Sequence, residues 1–119
     1  MIALILLFQI AVPVPGSAWT QDTARICHQP TRAVRRVSEA VRRQILYRDT
    51  GSDHPPQRYE LDHLIPLGLG GSNRERNLWA EPWADAQRKD RLESQLHWEV
   101  CSGRLPIGSA QERMRRWSP

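Results

Sequence analysis

The tightest constraint on the fold lies in residues 59–83. Tyr59, Leu61, His63 and Ile65 alternate with Glu60, Asp62 and Leu64, the period of a half-buried strand. Pro66 ends that strand. Gly68, Gly70 and Gly71 follow in a turn that can take positive φ. Asn77-Leu78-Trp79-Ala80 returns as a second short strand. Pro82 then opens a helix, where its fixed φ and missing N–H do no harm. That helix is expected to reach about Val100, with Leu92, Leu96 and Val100 as its apolar stripe and Arg88, Lys89 and Arg91 turned elsewhere.

The flanks add helices. Ser38 can cap a helix running to about Arg48, along which Val37, Val41 and Ile45 repeat every four residues. Before it, Gln29 to Arg36 reads as irregular and basic. After it, Gly51, Pro55 and Pro56 make Thr50 to Gln57 a loop. Following a break at Gly103 to Gly108, Ser109-Ala110-Gln111-Glu112 has the pattern of a capping box. Ala110, Met114 and Trp117 share one face of that last helix. The expected class is α+β: a hairpin-plus-helix core flanked by an N-terminal helix and a short C-terminal helix.

The chain has 119 residues, enough for one small domain. Residues 1–18 read as a signal peptide. They are uncharged and largely apolar, and small residues at Gly16 and Ala18 suit cleavage after Ala18. An uncleaved anchor is the alternative. The apolar stretch is too short to span a bilayer comfortably, so no stable membrane insertion is expected after cleavage. Residues 19–119 then form a single domain, exported to the periplasm or secreted. In an oxidising compartment Cys27 and Cys101 are expected to form a disulfide, worth roughly 2–4 kcal/mol; two free buried thiols are the alternative. The two cysteines lack CxxC spacing, which argues against a structural zinc site. The net charge is +4, with arginines clustered at 25–43 and 113–116. Such a balance suits nucleic acid or an anionic surface, and equally a solvated exterior.

Asp62-His63 near a strand end carries the chemistry. A carboxylate suits hard divalent ions, and an imidazole can act as general base near neutrality. Cleaving a phosphodiester calls for both kinds of group. Neighbours on a regular strand point to opposite faces, so the pair cooperates only if the strand bends or ends there.

The run Tyr59-Glu-Leu-Asp62-His63-Leu-Ile-Pro66, then Gly70-Gly71, Asn77-Leu78-Trp79 and Lys89-Asp90, resembles the HNH family of nucleases, which have the ββα-metal fold. More loosely, Ile26-Cys27 through Arg35 and Lys89 through Gly103 look like an exported bacterial HNH-like subgroup. The resemblance implies a metal-dependent endonuclease acting on DNA or RNA. Asp62 would bind one divalent ion, Mg²⁺ foremost, with Mn²⁺, Ni²⁺ or Zn²⁺ as other choices. His63 would be the general base. Asn77 would tie the hairpin together and orient the His63 ring. Lys89, with Arg88 beside it, would face phosphate. The usual second ligand position holds Ala86, so Asp85 is the expected substitute, although an Asp at a helix start is often only a cap. The alternative is a catalytically decayed HNH-like module that binds nucleic acid or another polyanion, and a third possibility is a purely structural domain. Glu93 and His97 sit four apart and are more readily an ordinary helix pair than metal ligands. Trp79, Trp83, Trp98 and Trp117 are expected mainly in packing, with base stacking as their other use. Glu60 is expected to be a supporting partner of the site or simply exposed.

Overall fold

The computed structural model describes residues 12–119. The first eleven residues of the expected signal peptide lie outside the described residues. The elements run α1 (Thr23–His28), α2 (Thr31–Val34), α3 (Glu39–Thr50), β1 (Tyr59–His63), β2 (Leu78–Pro82), α4 (Trp83–Cys101) and α5 (Ile107–Arg115). The α+β class holds: a two-stranded antiparallel hairpin packs against helices. No helix among the described residues is long and apolar enough to cross a membrane.

The hairpin register pairs Tyr59 with Pro82, Asp62 with Trp79 and His63 with Leu78. Glu60, Asp62, Trp79 and Glu81 therefore share one face, since alternate residues of a strand do so. That face looks onto α4. On the other side α3 buries Ile45 and Leu46. It also closes the open edge of β2. Arg48 donates to the Leu78 carbonyl at 2.7 Å, and Asp49 accepts from the Ala80 N–H at 2.8 Å. An unpaired strand edge is thereby satisfied by side chains rather than left free.

The glycine turn is sterically required. Gly70 has φ of +82°, and a Cβ on Gly71 would lie 1.6 Å from the Ile65 carbonyl oxygen. Beside this turn the main core gathers Ile65, Leu69, Leu96, Val100, Ala110 and Met114. Cys27 of α1 and Cys101 at the end of α4 form a disulfide, which staples the two ends of the core and fits an oxidising compartment outside the cytoplasm.

Four local expectations need correction. Thr23–His28 is helical, capped by the Asp22 side chain accepting from the Arg25 N–H, and Thr31–Val34 forms one further turn within the stretch read as irregular. β1 ends at His63 rather than Ile65. The last helix starts after Pro106 rather than at Ser109: Pro106 is its N-cap in an extended conformation (φ −60°, ψ 141°), and Ser109 already lies in the first turn. No capping box forms, since Ser109 lies inside the helix and Glu112 pairs with Arg115 and Arg116; Gln111 is buried, and its Nε2 donates to the carbonyls of Thr20 and Leu69. Most consequentially, Lys89 turns inward, not outward, and is 0% exposed.

Residues 16–18 belong to the packed fold. The N–H of Gly16 donates to the Arg76 carbonyl, the N–H of Ser17 to Asn77 Oδ1, and Ala18 bridges to Gly71. Cleavage after Ala18 would remove all three attachments.

Candidate active site at the open edge of the hairpin

A polar cleft of about 220 Å³ lies along the unpaired edge of β1, and its lining includes Arg35, Glu60, Asp62, His63, Asp90 and Glu93. Because β1 stops at His63, Asp62 and His63 both reach this cleft although they are neighbours in sequence. The stop has a local cause. Asn77 is wholly buried and takes over from the sheet: its Oδ1 accepts from the N–H groups of Ile65 and Ser17, and its Nδ2 donates to the carbonyls of Ile65 and Ser72. Asn77 thus ties the hairpin together, as expected.

Orienting His63 falls to a different residue. The ring Nε2 lies 3.0 Å from Asn73 Oδ1. The Asn73 amide is itself fixed, since Oδ1 also accepts from the Arg36 N–H and Nδ2 donates to the Val34 carbonyl. An amide oxygen only accepts, so Nε2 carries the proton and Nδ1 is left as the basic nitrogen. Nδ1 has no hydrogen-bond partner among the described residues. His63 as a whole is 4% exposed. Burial pushes its pKa down to about 4, helped by the charges of Arg35 and Lys89 and opposed by the hydrogen bond to Asn73. His63 is therefore neutral at pH 7 and able to accept a proton.

Lys89 occupies the middle of the neighbouring acid cluster. Its Nζ lies 2.9 Å from Asp62 Oδ2 and 2.7 Å from Glu93 Oε1, and it donates to the His63 carbonyl at 3.0 Å. An ammonium has three donors, and all three are used here. Burial opposes its charge, but Asp62 and Glu93 outweigh that and leave its pKa raised. Asp62 also accepts from Trp79 Nε1 at 2.8 Å. Its own pKa is nonetheless raised, chiefly by burial. Glu93 is raised for the same reason, and Glu60 by burial together with Asp90 and Asp62. Beneath them Glu81 is 1% exposed, and neither carboxyl oxygen has a hydrogen-bond partner. Burial and the surrounding acids push its pKa up to about 8, so it is largely protonated at neutral pH.

These side chains do not fit the expected divalent ion as they stand. A hard cation needs about six oxygen ligands near 2.0–2.6 Å. The point between Asp62 and Glu93 is already filled by the Lys89 ammonium. Among the described residues no three His, Cys, Asp or Glu side chains gather as a metal-binding group. Asp85 does not join Asp62: it pairs with Arg88 at 2.9 Å and does not line the cleft. Ala86 is buried as packing. Lys89 is buried and does not present its ammonium to the cleft, and Arg88 is half-exposed, pairs with Asp85 and lies outside the cleft lining. Glu93 holds Lys89, while His97 Nδ1 lies 2.7 Å from the Gly68 carbonyl oxygen, so these two are not joint ligands.

Sequence reasoning passed over Asn73, Arg35, Asp90 and the role of Glu93. One signal was present. Ala86, Lys89, Glu93, Leu96 and Val100 recur at spacings of three and four, the inward stripe of α4, which places Lys89 and Glu93 against the hairpin. Nothing comparable marks Asn73, which lies in a loop and reaches His63 only through the fold.

A second groove joins the first along β1. It is lined by Arg35, Arg42, Arg58, Glu60, Leu61 and Trp83, among others. Trp83 is 52% exposed, and the Arg58 guanidinium lies 4.6 Å from its ring centroid. Trp79, in contrast, is buried. Comparisons with protein-family models, with curated proteins and with solved structures found no match to this chain.

Proposed function

We propose that this protein cleaves phosphodiester bonds in nucleic acid, with His63 as general base, in a compartment outside the cytoplasm. The observation that carries this reading is His63 itself: a neutral imidazole of fixed tautomer, lining an open cleft beside Arg35. An unprotonated imidazole that can accept a proton and a guanidinium that can pair with phosphate are two groups such a reaction uses. The adjoining groove, with three arginines and an exposed Trp, suits a charged backbone carrying unstacked bases. No metal step is included, because the donor set does not fit one.

The test is incubation of the purified full chain with plasmid DNA and with single-stranded RNA, with and without Mg²⁺ or Mn²⁺. Cleavage of at least one substrate is expected, falling about 10²–10⁴-fold in His63→Ala. Equal cleavage by that variant refutes the role of His63.

Two observations favour a second reading, a decayed module that binds without cutting. They are Ala86 at the usual ligand position and Lys89 seated where a metal would help. Salt-sensitive retention of nucleic acid with no cleavage under any condition would establish it.

A further inference from the structure

We propose that this site cleaves RNA without a divalent ion, the Lys89 ammonium being the resident cation of the hairpin and the RNA 2′-hydroxyl the nucleophile. The inference rests on the phosphodiesterase reading above and names its substrate.

The argument begins with the seat between the hairpin and α4. Asp62 Oδ2, Glu93 Oε1 and the His63 carbonyl converge on Lys89 Nζ at 2.7–3.0 Å. Lys89 is 0% exposed. A divalent ion taking this seat would displace a buried ammonium and leave it with no partner, which is strongly unfavourable. The seated ammonium also cannot act on substrate, since every proton it has to donate is already given to the protein. It offsets part of the negative charge of Asp62 and Glu93 and holds the hairpin to α4. The cleft is thus left with a base, His63, and a guanidinium, Arg35, but nothing to turn water into a strong nucleophile.

RNA needs no such help. Its 2′-hydroxyl already lies next to the phosphorus, so attack is intramolecular, and one positioned base is enough to start it. The 2′-O–H proton passes to His63 Nδ1 as the O2′–P bond forms, with Arg35 pairing with the phosphoryl oxygens. The P–O5′ bond breaks, and the departing oxygen takes a proton from water at the open mouth of the cleft. The hydroxide so formed recovers the proton from His63. The products are a 2′,3′-cyclic phosphate and a 5′-hydroxyl. Glu60, Asp90 and Glu93 line the rest of the cleft, which leaves Arg35 as the lining cation that can pair with phosphate. The adjoining groove, with Arg42, Arg58 and the exposed Trp83, offers a stacking and charge platform for a single strand entering along β1.

The experiment uses the full chain in excess EDTA with three substrates: a single-stranded RNA, the same sequence as DNA, and that RNA with one 2′-deoxy residue. Expected are cleavage of the RNA, products ending in 2′,3′-cyclic phosphate by mass spectrometry, and loss of the single cut at the 2′-deoxy position. Independently of activity, a Mn²⁺ titration followed by electron paramagnetic resonance is expected to show no stoichiometric site. Cleavage of the DNA strand under any condition, RNA cleavage that requires Mg²⁺ or Mn²⁺, or a stoichiometric Mn²⁺ site each overturns the proposal while leaving the phosphodiesterase reading in place. No cleavage of either nucleic acid, with or without metal, refutes that reading itself and this inference with it.

Discussion

Glu81→Gln gives the sharpest test of the electrostatics under the site. Glu81 is 1% exposed, its oxygens are unpartnered, and it shares a hairpin face with Glu60 and Asp62. Its pKa is pushed from 4.5 to about 8. Between those values the folded protein holds a proton that the unfolded chain has released, so stability falls as pH rises. The contribution is fully present below pH 4.5 and is lost by about pH 8. A difference of 8 minus 4.5, at about 1.4 kcal/mol per pH unit, corresponds to about 5 kcal/mol across that window. A glutamine has nearly the same shape and cannot ionise, so Glu81→Gln should remove this slope. The assay is urea unfolding of both proteins at intervals from pH 4.5 to 8.5. The stability difference, variant minus wild type, should grow by about 3–6 kcal/mol over that range, whatever its value at acid pH. Parallel curves would refute the assignment of a buried, proton-holding Glu81.

Four further outcomes are expected. The imidazole of His63, followed by NMR, should stay neutral down to about pH 4; its stabilisation is present above pH 6.5 and fades as pH falls through that interval, and titration near 6.5 would contradict the buried, Asn73-held ring. Gly71→Ala should prevent stable folding, because its Cβ would meet the Ile65 carbonyl oxygen at 1.6 Å, and a variant melting within a few degrees of wild type would show that the turn can be rebuilt. Replacing Cys27 and Cys101 by Ser opens a loop of sequence separation 74 and should cost about 4 kcal/mol in denaturant unfolding; an unchanged midpoint would show that the staple is idle. If the chain is exported and processed, intact-mass measurement should place the mature N-terminus before Gly16. A product starting at Trp19 would mean that Ser17 is not needed beside Asn77.

Legibility in the sequence followed the range of the interactions. Strand alternation, the glycine turn, Ser38 as a cap and Pro82 at a helix start are short-range effects, and the corresponding elements are present, with β1 ending at His63 rather than Ile65 and β2 running Leu78–Pro82 rather than Asn77 to Ala80. The role of Asn77 in holding the hairpin was an expectation from the resemblance to HNH nucleases, and its partners Ile65 and Ser72 lie near it in the chain. Asn73 was not readable: its link to His63 depends on the backbone of Val34 and Arg36, 39 and 37 residues away in sequence, which fix its amide.

Asp62 and His63 therefore divide between the two levels. Their presence at the end of a strand, ahead of a glycine turn, was determined by the sequence alone through local backbone preference. What they can do was decided by tertiary structure. Packing of α4 against the hairpin carries Lys89 into the seat between Asp62 and Glu93, and packing of the α2 region carries Asn73 and Arg35 to His63. The physical reason is that a charge's partners and its protonation depend on what surrounds it in space. A lysine counted in sequence as a phosphate contact became, once buried, the cation of the fold.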